Sequence, residues 1–441
     1  MLAGTATINA DLVGAERAHA VVLAYDYTVL AGTQGAVNHR KKDRAFEIAE
    51  ARRWPVVIYA EGGGGRPGDT DGSWASMLDV PAFEIFSRLS ARVPLVAVVA
   101  GRCFAGNAAL AGMCDVIIAV EGASLGMSGP AMIEGGGLGV VAPDDVGPMA
   151  VQVGNGVVDV LVADEEEATR VARRYLSYFQ GPVADWEAPD QRLLRHLVPE
   201  NRVRVYDVRA VVHGLADVGS VLELRAGFGR GIVTALVRVE GRPMGLIAND
   251  PAHLGGAIDH DAADKAARFL QLCDAFGLPV VSLCDTPGFM VGPESETHAA
   301  VRHAGRMFAV GGNLSVPLGL VVTRKCYGLG AQAMMGGSLK APAFAVSWPT
   351  GEFGGMGLEG AVRLGYRKEL DAAPDPAARQ ELYERRVAAE YEKGQALSVA
   401  QVYEIDDVID PADTRRWITA SFVAHPVGPP AQKRRPNIDT W

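Results

Sequence analysis

Two segments of the chain end an apolar run in a cluster of small residues that opens a helix pattern. Gly101-Arg102-Cys103-Phe104-Ala105-Gly106-Asn107 precedes residues 108–113. Arg324-Lys325-Cys326-Tyr327-Gly328-Leu329-Gly330-Ala331 precedes residues 332–335. Small residues at a loop-to-helix junction leave first-turn N–H groups pointing outward without intrahelical partners. Such donors can hold an oxyanion or an enolate. More of the 52 glycines gather in Glu61-Gly62-Gly63-Gly64-Gly65-Arg66, in Asp285-Thr286-Pro287-Gly288, and in residues 126–139, 328–337 and 351–360. Any one cluster is ordinary turn chemistry. Most, however, follow an apolar strand pattern, and ligands of α/β sheets bind beyond the carboxyl ends of strands. Glycine there lets backbone N–H groups approach a ligand closely.

Side-chain chemistries fit less well. No GxxxxGK[ST] phosphate loop occurs, so Asp285-Thr286-Pro287-Gly288 has no nucleotide-binding partner motif. There is no HExxH. His298 and His303 are five apart, not the four that puts two zinc ligands on one helical face. His253, His260, His298 and His303 read as surface or hydrogen-bonding residues. Asp259-His260-Asp261, with Asp264-Lys265, reads as a helix start. No metal site is expected.

The elements that would position the glycine clusters are short runs rich in Val, Ile and Leu: residues 20–24, 55–60, 95–100, 116–120, 244–248, 279–283, 318–323 and 344–347. Such runs suit strands covered on both faces. Amphipathic helix patterns lie between several of them, at residues 44–53 and 262–276. Strand alternating with helix defines the α/β class. The stretch 93–113 reads as two buried strands with a turn between them.

The two halves repeat. Asp26, Gly32 and Pro55 recur as Asp250, Gly256 and Pro279, each 224 residues later. Pro94 and Cys103 recur as Pro317 and Cys326, 223 residues later. A near-constant offset of half the chain predicts two homologous α/β domains, 1–190 and 191–441, joined through the polar, proline-containing stretch 181–201.

Composition agrees with two such domains in 441 residues: 49% of residues are hydrophobic and 21% charged. A net charge of −10 offers no general attraction to nucleic acid. Five cysteines without a CxxC read as buried thiols in a reducing, cytoplasmic setting. Asn9 and Asp11 interrupt the apolar start, so no signal peptide is expected. Arg102 and Asn107 break the longest apolar stretch, so no membrane span is expected. Gly428-Pro429-Pro430 and Lys433-Arg434-Arg435-Pro436 read as a loose tail.

Several motifs carry a family resemblance. They are Tyr206-Asp207-Val208-Arg209, Gly241-Arg242-Pro243, Lys265-Ala266-Ala267-Arg268-Phe269, Cys273-Asp274-Ala275-Phe276, Asp285-Thr286-Pro287-Gly288-Phe289, Thr323-Arg324-Lys325, Trp348-Pro349 and Ile405-Asp406-Asp407-Val408-Ile409-Asp410-Pro411. The N-terminal half matches more loosely, through Asp26-Tyr27-Thr28-Val29, the 63–66 glycines, Gly106 and Gly129-Pro130. Over nearly its whole length the chain resembles the carboxyltransferase (β) subunits of biotin-dependent acyl-CoA carboxylases, such as propionyl-CoA carboxylase. It also resembles the related acyl-CoA decarboxylase α subunits.

The resemblance implies two tandem crotonase-like domains, with acyl-CoA on the first and biotin on the second. It implies a biotin carboxylase and a biotin carboxyl carrier as partners. It further implies a homo-oligomer, often a hexamer, or a hetero-oligomer with a sister subunit, in which the N domain of one subunit faces the C domain of another. The implied thioester donors are the amides of Ala105 and Gly106, and the implied biotin-carbonyl donors those of Gly330 and Ala331. Gly63, Gly64, Gly65, Arg66, Gln332 and Ala333 would contact the substrate, and Gly288, Phe289 and Tyr327 the biotin. The base would be the biotin ureido nitrogen, which accords with the lack of a catalytic His or carboxylate pattern. Three departures stand out. An upstream helical segment usual in the family is missing before residue 1, Ala105 stands where many relatives have Gly, and residues 127–147 are more apolar than expected. They keep a non-catalytic scaffold subunit open as an alternative, beside decarboxylation.

Overall fold

The Val- and Ile-rich runs form the parallel strands of two sheets in the computed structural model, which describes residues 1–66, 69, 78–428 and 433–441. The chain divides into two units. Unit 1 holds Met1–Ala184, Glu223–Phe228 and the C-terminal segment. Unit 2 holds Asp185–Leu222 and the stretch that begins at Gly229.

Unit 1 carries six strands in the order Leu2–Thr7, His19–Ala24, Val56–Tyr59, Leu95–Val99, Val116–Val120 and Val160–Val162. The first pair is antiparallel and the rest are parallel. Every residue of Leu95–Val99 is buried, as expected for a strand with both faces covered. A short parallel pair, Arg102–Phe104 with Ser124–Gly126, stands off this sheet. The helices Ala36–Arg52 and Ala82–Leu89 pack together, with the Phe46 and Phe86 rings 4.7 Å apart. Helix Glu165–Ser177 starts where Asp164 accepts the Glu167 N–H and Glu167 accepts the Ala163 N–H, a reciprocal cap that satisfies otherwise orphaned donors.

Unit 2 repeats the plan. Ile232–Val239 and Arg242–Asn249 form an antiparallel hairpin turned at Glu240 and Gly241, both with positive φ as a tight hairpin turn requires. Val280–Thr286, Leu318–Tyr327, Phe344–Ser347 and Asp407–Val408 continue it in parallel. Helix His260–Phe276 is capped by Asp259, which accepts the Ala262 N–H at 2.8 Å, and ends at Gly277 with φ +72°. The expected helix start at Asp259–Asp261 is therefore present.

The repeat extends to backbone detail. Helices Ala36–Arg52 and His260–Phe276 are both 17 residues long, 224 apart. Leu30, Ala31 and Gly32 have positive φ in sequence, and so do Leu254, Gly255 and Gly256. The isolated bridge Gln34–Gly65 recurs as Ile258–Phe289, again at 224. Ala105 (φ +52°) recurs as Gly328 (φ +58°) at 223.

Two expectations change. Residues 93–113 form one sheet strand, the short strand Arg102–Phe104 and helix Gly106–Gly112, because Ala105 turns the chain from strand to helix. The tail is docked where it is described. Lys433 donates to the carbonyls of Arg88 (2.9 Å) and Ser90 (2.8 Å), Ile438 is buried, and the Trp441 ring lies 5.5 Å from Phe228. Pro429 and Pro430 lie outside the described residues. Among the described residues, no helix is long and apolar enough to cross a membrane.

Candidate active site

In unit 1 the loop after Val56–Tyr59 runs against the start of helix Gly106–Gly112. Gly62 N donates to Arg102 O at 2.7 Å, and Phe104 N donates to Gly62 O at 2.9 Å. Gly64 is held with φ +83°, and its carbonyl accepts the Gln34 N–H at 2.6 Å. The two segments approach so closely that a Cβ on Gly64 would lie 2.6 Å from the Ala105 Cβ and 3.2 Å from Gly106 N. Only glycine allows that contact.

Ala105 adopts φ +52°, ψ −124°, an unfavourable backbone for an L-residue with a side chain. Its N–H donates to Gly126 O at 3.2 Å. Among the described residues, the N–H groups of Gly64, Gly65 and Gly106 donate to no protein acceptor. Unit 1 therefore presents Gly64 and Gly106 as neighbouring free donors, while Ala105 shapes the turn and spends its own N–H inside the fold. Gly63 and Gly65 are exposed beside them. Arg66 is tied back: Nη2 donates to Thr33 O at 3.2 Å, and Nη1 lies 3.4 Å from the Asp69 carboxylate.

Unit 2 builds the corresponding junction with different side chains. The Asp285–Gly288 turn is locked by a buried ion pair, Arg324 to Asp285 at 3.0 Å, and by Lys325 N donating to Asp285 at 3.1 Å. Asp285 is thus a structural anchor for the end of strand Leu318–Tyr327. Gly288 N donates to Thr286 Oγ1 at 3.1 Å, and Gly288 O accepts the Ile258 N–H at 3.0 Å, as Gly64 O does for Gln34. A Cβ on Gly330 would lie 2.6 Å from the Gly288 carbonyl carbon and 2.9 Å from Phe289 N, so this position too admits no side chain. Gly328 opens the helix with positive φ, as Ala105 does in unit 1. The 223-residue offset then makes Leu329 the counterpart of Gly106, and Gly330 that of Asn107. Leu329 and Gly330 have no acceptor for their N–H groups among the described residues. Gly330 and Ala331, the expected unit 2 donors, stand two residues further along the repeat than Ala105 and Gly106.

A pocket of about 680 Å³ opens at this helix, lined by Gly328, Leu329, Ala331, Gln332, Phe353 and Met356 among others. Gln332 is exposed and Ala333 is buried beneath it. Tyr327 is buried, with its hydroxyl 2.8 Å from Glu352; burial and that carboxylate push its pKa well up, so it serves as a neutral donor. The Phe289 ring stands 6.2 Å from that of Phe308. The five cysteines are free and buried, and burial raises the thiol pKa of Cys103 and Cys273, which removes them as nucleophiles.

Backbone donors at a strand-to-helix turn, on a parallel sheet and repeated in tandem, are the arrangement of a crotonase-type protein, and such donors can hold an oxyanion. Residues 17–435 match the carboxyl transferase domain family. The chain is 35% identical over 409 residues to the methylmalonyl-CoA carboxyltransferase 12S subunit of Propionibacterium freudenreichii subsp. shermanii, covering 90% of this chain and 76% of that one. The crystal structure of transcarboxylase 12S, a hexamer holding methylmalonyl-CoA and methylmalonic acid, superposes with a TM-score of 0.81. It is 31% identical, and the match covers 94% of this chain and 81% of that one. The propionyl-CoA carboxylase β chain of Roseobacter denitrificans is 30% identical over 437 residues, 96% of this chain and 82% of that one. A single-chain, multi-domain long-chain acyl-CoA carboxylase is 63% identical, with a TM-score of 0.89 over 95% of this chain. This chain spans only 41% of that larger protein. The chain belongs to the carboxyl transferase family of the biotin-dependent acyl-CoA carboxylases.

Proposed function

We propose that this chain carries a carboxyl group from carboxybiotin, held on a separate carrier protein or domain, to the α-carbon of a long-chain acyl-CoA. The acyl-CoA side is assigned to unit 1 and the biotin side to unit 2. The observation that carries the reading is the pair of N–H groups of Gly64 and Gly106, which meet no acceptor among the described residues, at a junction where a Cβ on Gly64 does not fit. A thioester oxygen set between them gains two hydrogen bonds that strengthen as the oxygen takes on enolate charge, and each such donor is worth about 2.7–4 kcal/mol of transition-state stabilisation. The positive φ of Ala105 aims the helix start at that oxygen.

A ureido ring suits the unit 2 junction. The N–H groups of Leu329 and Gly330 can donate to its carbonyl oxygen, and Leu329, Phe353 and Met356 offer apolar cover beside it. When bound, carboxybiotin supplies the carboxyl group and afterwards the nitrogen that takes the α-proton. The protein's own part is to fix both carbonyl oxygens and to hold water away from the α-carbon, so no side-chain base is needed. The long-chain assignment follows the 63% identity to the long-chain acyl-CoA carboxylase, against 30–35% to relatives named for methylmalonyl- and propionyl-CoA. An oligomer such as the 12S hexamer, and partner biotin carboxylase and carrier functions, belong to the same proposal. Free, buried thiols agree with a cytoplasmic setting.

The test supplies the purified chain with a biotin carboxylase, a biotinylated carrier, ATP and labelled bicarbonate, and measures carboxylation of acetyl-, propionyl-, decanoyl- and palmitoyl-CoA. The proposal expects label in the long-chain products at higher kcat/KM than in propionyl-CoA. No labelled product with any of the four would reject carboxyl transfer, and a preference for propionyl-CoA would reject the chain-length assignment alone.

A further inference from the structure

The Gly106 amide is backed by three fully buried polar side chains, Lys42, Gln34 and Asn107. Lys42 Nζ donates to Gln34 Oε1, and Gln34 Nε2 donates to Asn107 Oδ1. Asn107 Nδ2 donates to the carbonyls of Gly32 (3.2 Å) and Glu61, where the Gly64 loop begins. A Cβ on Gly106 would lie 3.3 Å from Gln34 Nε2 and 3.3 Å from the Phe83 ring, over which Lys42 Nζ sits 5.7 Å from the centroid. Every hydrogen bond in this series runs in one direction, away from the ammonium and toward the donor loop. Among the described residues no carboxylate lies within ion-pair distance of Lys42. The charged groups nearby are Asp43 on the same helix, and Asp69, which accepts the Ala36 N–H at 2.7 Å and pairs with Arg66. His39, on the same helix, is held neutral by burial and by Lys42, with its pKa lowered to about 4.

The fold does not require this series. At offsets of 224, 224 and 223 residues, the counterparts of Gln34, Lys42 and Asn107 in unit 2 are Ile258, Ala266 and Gly330. Those three positions are apolar or small in unit 2, although the matching 17-residue helix buries Lys265 one residue before Ala266. A buried ammonium without a carboxylate partner is costly. At the matched position, 42 against 266, the lysine stands in the copy assigned to the thioester and an alanine in the other.

We propose that Lys42, acting through Gln34 and Asn107, is a positioning residue for the enolate site, fixing the Gly64 loop against Gly106 and setting a positive potential behind their N–H groups. The inference rests on the reading of Gly64 and Gly106 as thioester donors. A fixed cation in a low-dielectric site acts most on the oxygen that gains charge, so its effect falls on kcat rather than KM. Burial lowers the Lys42 pKa to about 7, so the charge is present below neutral pH, half present near pH 7 and lost above it.

The experiment compares wild type with Lys42→Met and Lys42→Arg in the reconstituted palmitoyl-CoA assay. Lys42→Met is expected to lower kcat about 10- to 100-fold with KM little changed, the range seen when supporting groups one layer behind a site are removed. It is also expected to keep or gain stability, because an uncompensated charge leaves the interior. Wild-type kcat is expected to fall as pH rises above about 7, and Lys42→Arg to keep activity and lose that alkaline limb, since a guanidinium stays charged. If Lys42→Met fails to fold, the double variant Lys42→Met, Gln34→Ile removes the unmatched amide as well and carries the same expectations. A second readout needs no turnover: difference infrared spectroscopy of palmitoyl-CoA labelled with ¹³C at the thioester carbonyl. The stretch is expected to move to lower frequency on binding wild type and to move less on Lys42→Met. Unchanged kcat, pH profile and carbonyl stretch in a folded variant would overturn the proposal. A wild-type protein that binds palmitoyl-CoA with no carbonyl shift, or does not bind it, would overturn the donor assignment first and this inference with it.

Discussion

Replacing Gly64 by alanine adds one methyl group at the point where the donor loop meets the helix start. Its Cβ would fall 2.6 Å from the Ala105 Cβ and 3.2 Å from Gly106 N, and the backbone there has φ +83°. A left-handed or similar backbone costs an L-residue roughly 1–2 kcal/mol, and a 2.6 Å contact between carbons cannot persist, so the loop must withdraw from Gly106. Losing one of the two donors lowers kcat by about 10²–10³. The assay is steady-state carboxylation of palmitoyl-CoA, with circular dichroism and urea unfolding to confirm the folded state. The expected pattern is a large drop in kcat with KM within a few-fold, the mark of an interaction made chiefly in the transition state. The double variant Gly64→Ala, Ala105→Gly removes the methyl that the new Cβ strikes, so it is expected to recover about tenfold of the loss, a coupling only residues in contact show. Gly112→Ala, at the far end of the same helix with nothing within 4 Å of its Cβ, serves as the reference. Full kcat in folded Gly64→Ala would refute the reasoning, and equal loss in the single and double variants would refute the contact.

Other substitutions test the supporting structure. Ala105→Gly relieves the positive-φ strain, offset in part by the freer unfolded chain, and should raise stability by about 0.5–1 kcal/mol in urea unfolding. Arg225→Met leaves Asp159 buried without its 3.0 Å partner, although Asp159 still accepts the Ile117 N–H; a loss of roughly 3–5 kcal/mol is expected, and Asp159→Asn alone should cost less. His39 is neutral in the fold, with a pKa lowered to about 4 against about 6.5 unfolded. Between those values the unfolded chain binds more protons, so the stability tied to this group falls as pH drops from about 6.5 to about 4 and is level outside that window. His39→Phe should flatten that part of a stability-versus-pH series.

The sheet was legible because its strands are covered on both faces, so 95–99, 116–120 and 344–347 appear as unbroken apolar runs that need no knowledge of their neighbours. The edge strand Leu2–Thr7 was not, since its side chains are mostly exposed and it is held by pairing with His19–Ala24 rather than by its own pattern. The repeat was visible through prolines and glycines that punctuate both halves at one offset. The donor register was harder. Sequence shows where small residues lie, but positive φ at Ala105 and Gly328 decides which N–H groups stay free, and an alanine in that conformation carries no warning. The offset itself, 105 to 328, was the available signal for Leu329. Lys42 gave no signal either, because Ala36–Arg52 is polar on most positions and a single buried lysine looks like any other. The tail reads as loose by composition, yet Lys433 finds two backbone carbonyls that no local pattern reveals.

The most direct test of the donor assignment is a crystal structure of the protein with palmitoyl-CoA bound. The account predicts the thioester oxygen at hydrogen-bonding distance, about 3 Å, from both Gly64 N and Gly106 N. A well-defined thioester whose oxygen meets neither amide, or is held by a side chain elsewhere in unit 1, would contradict it.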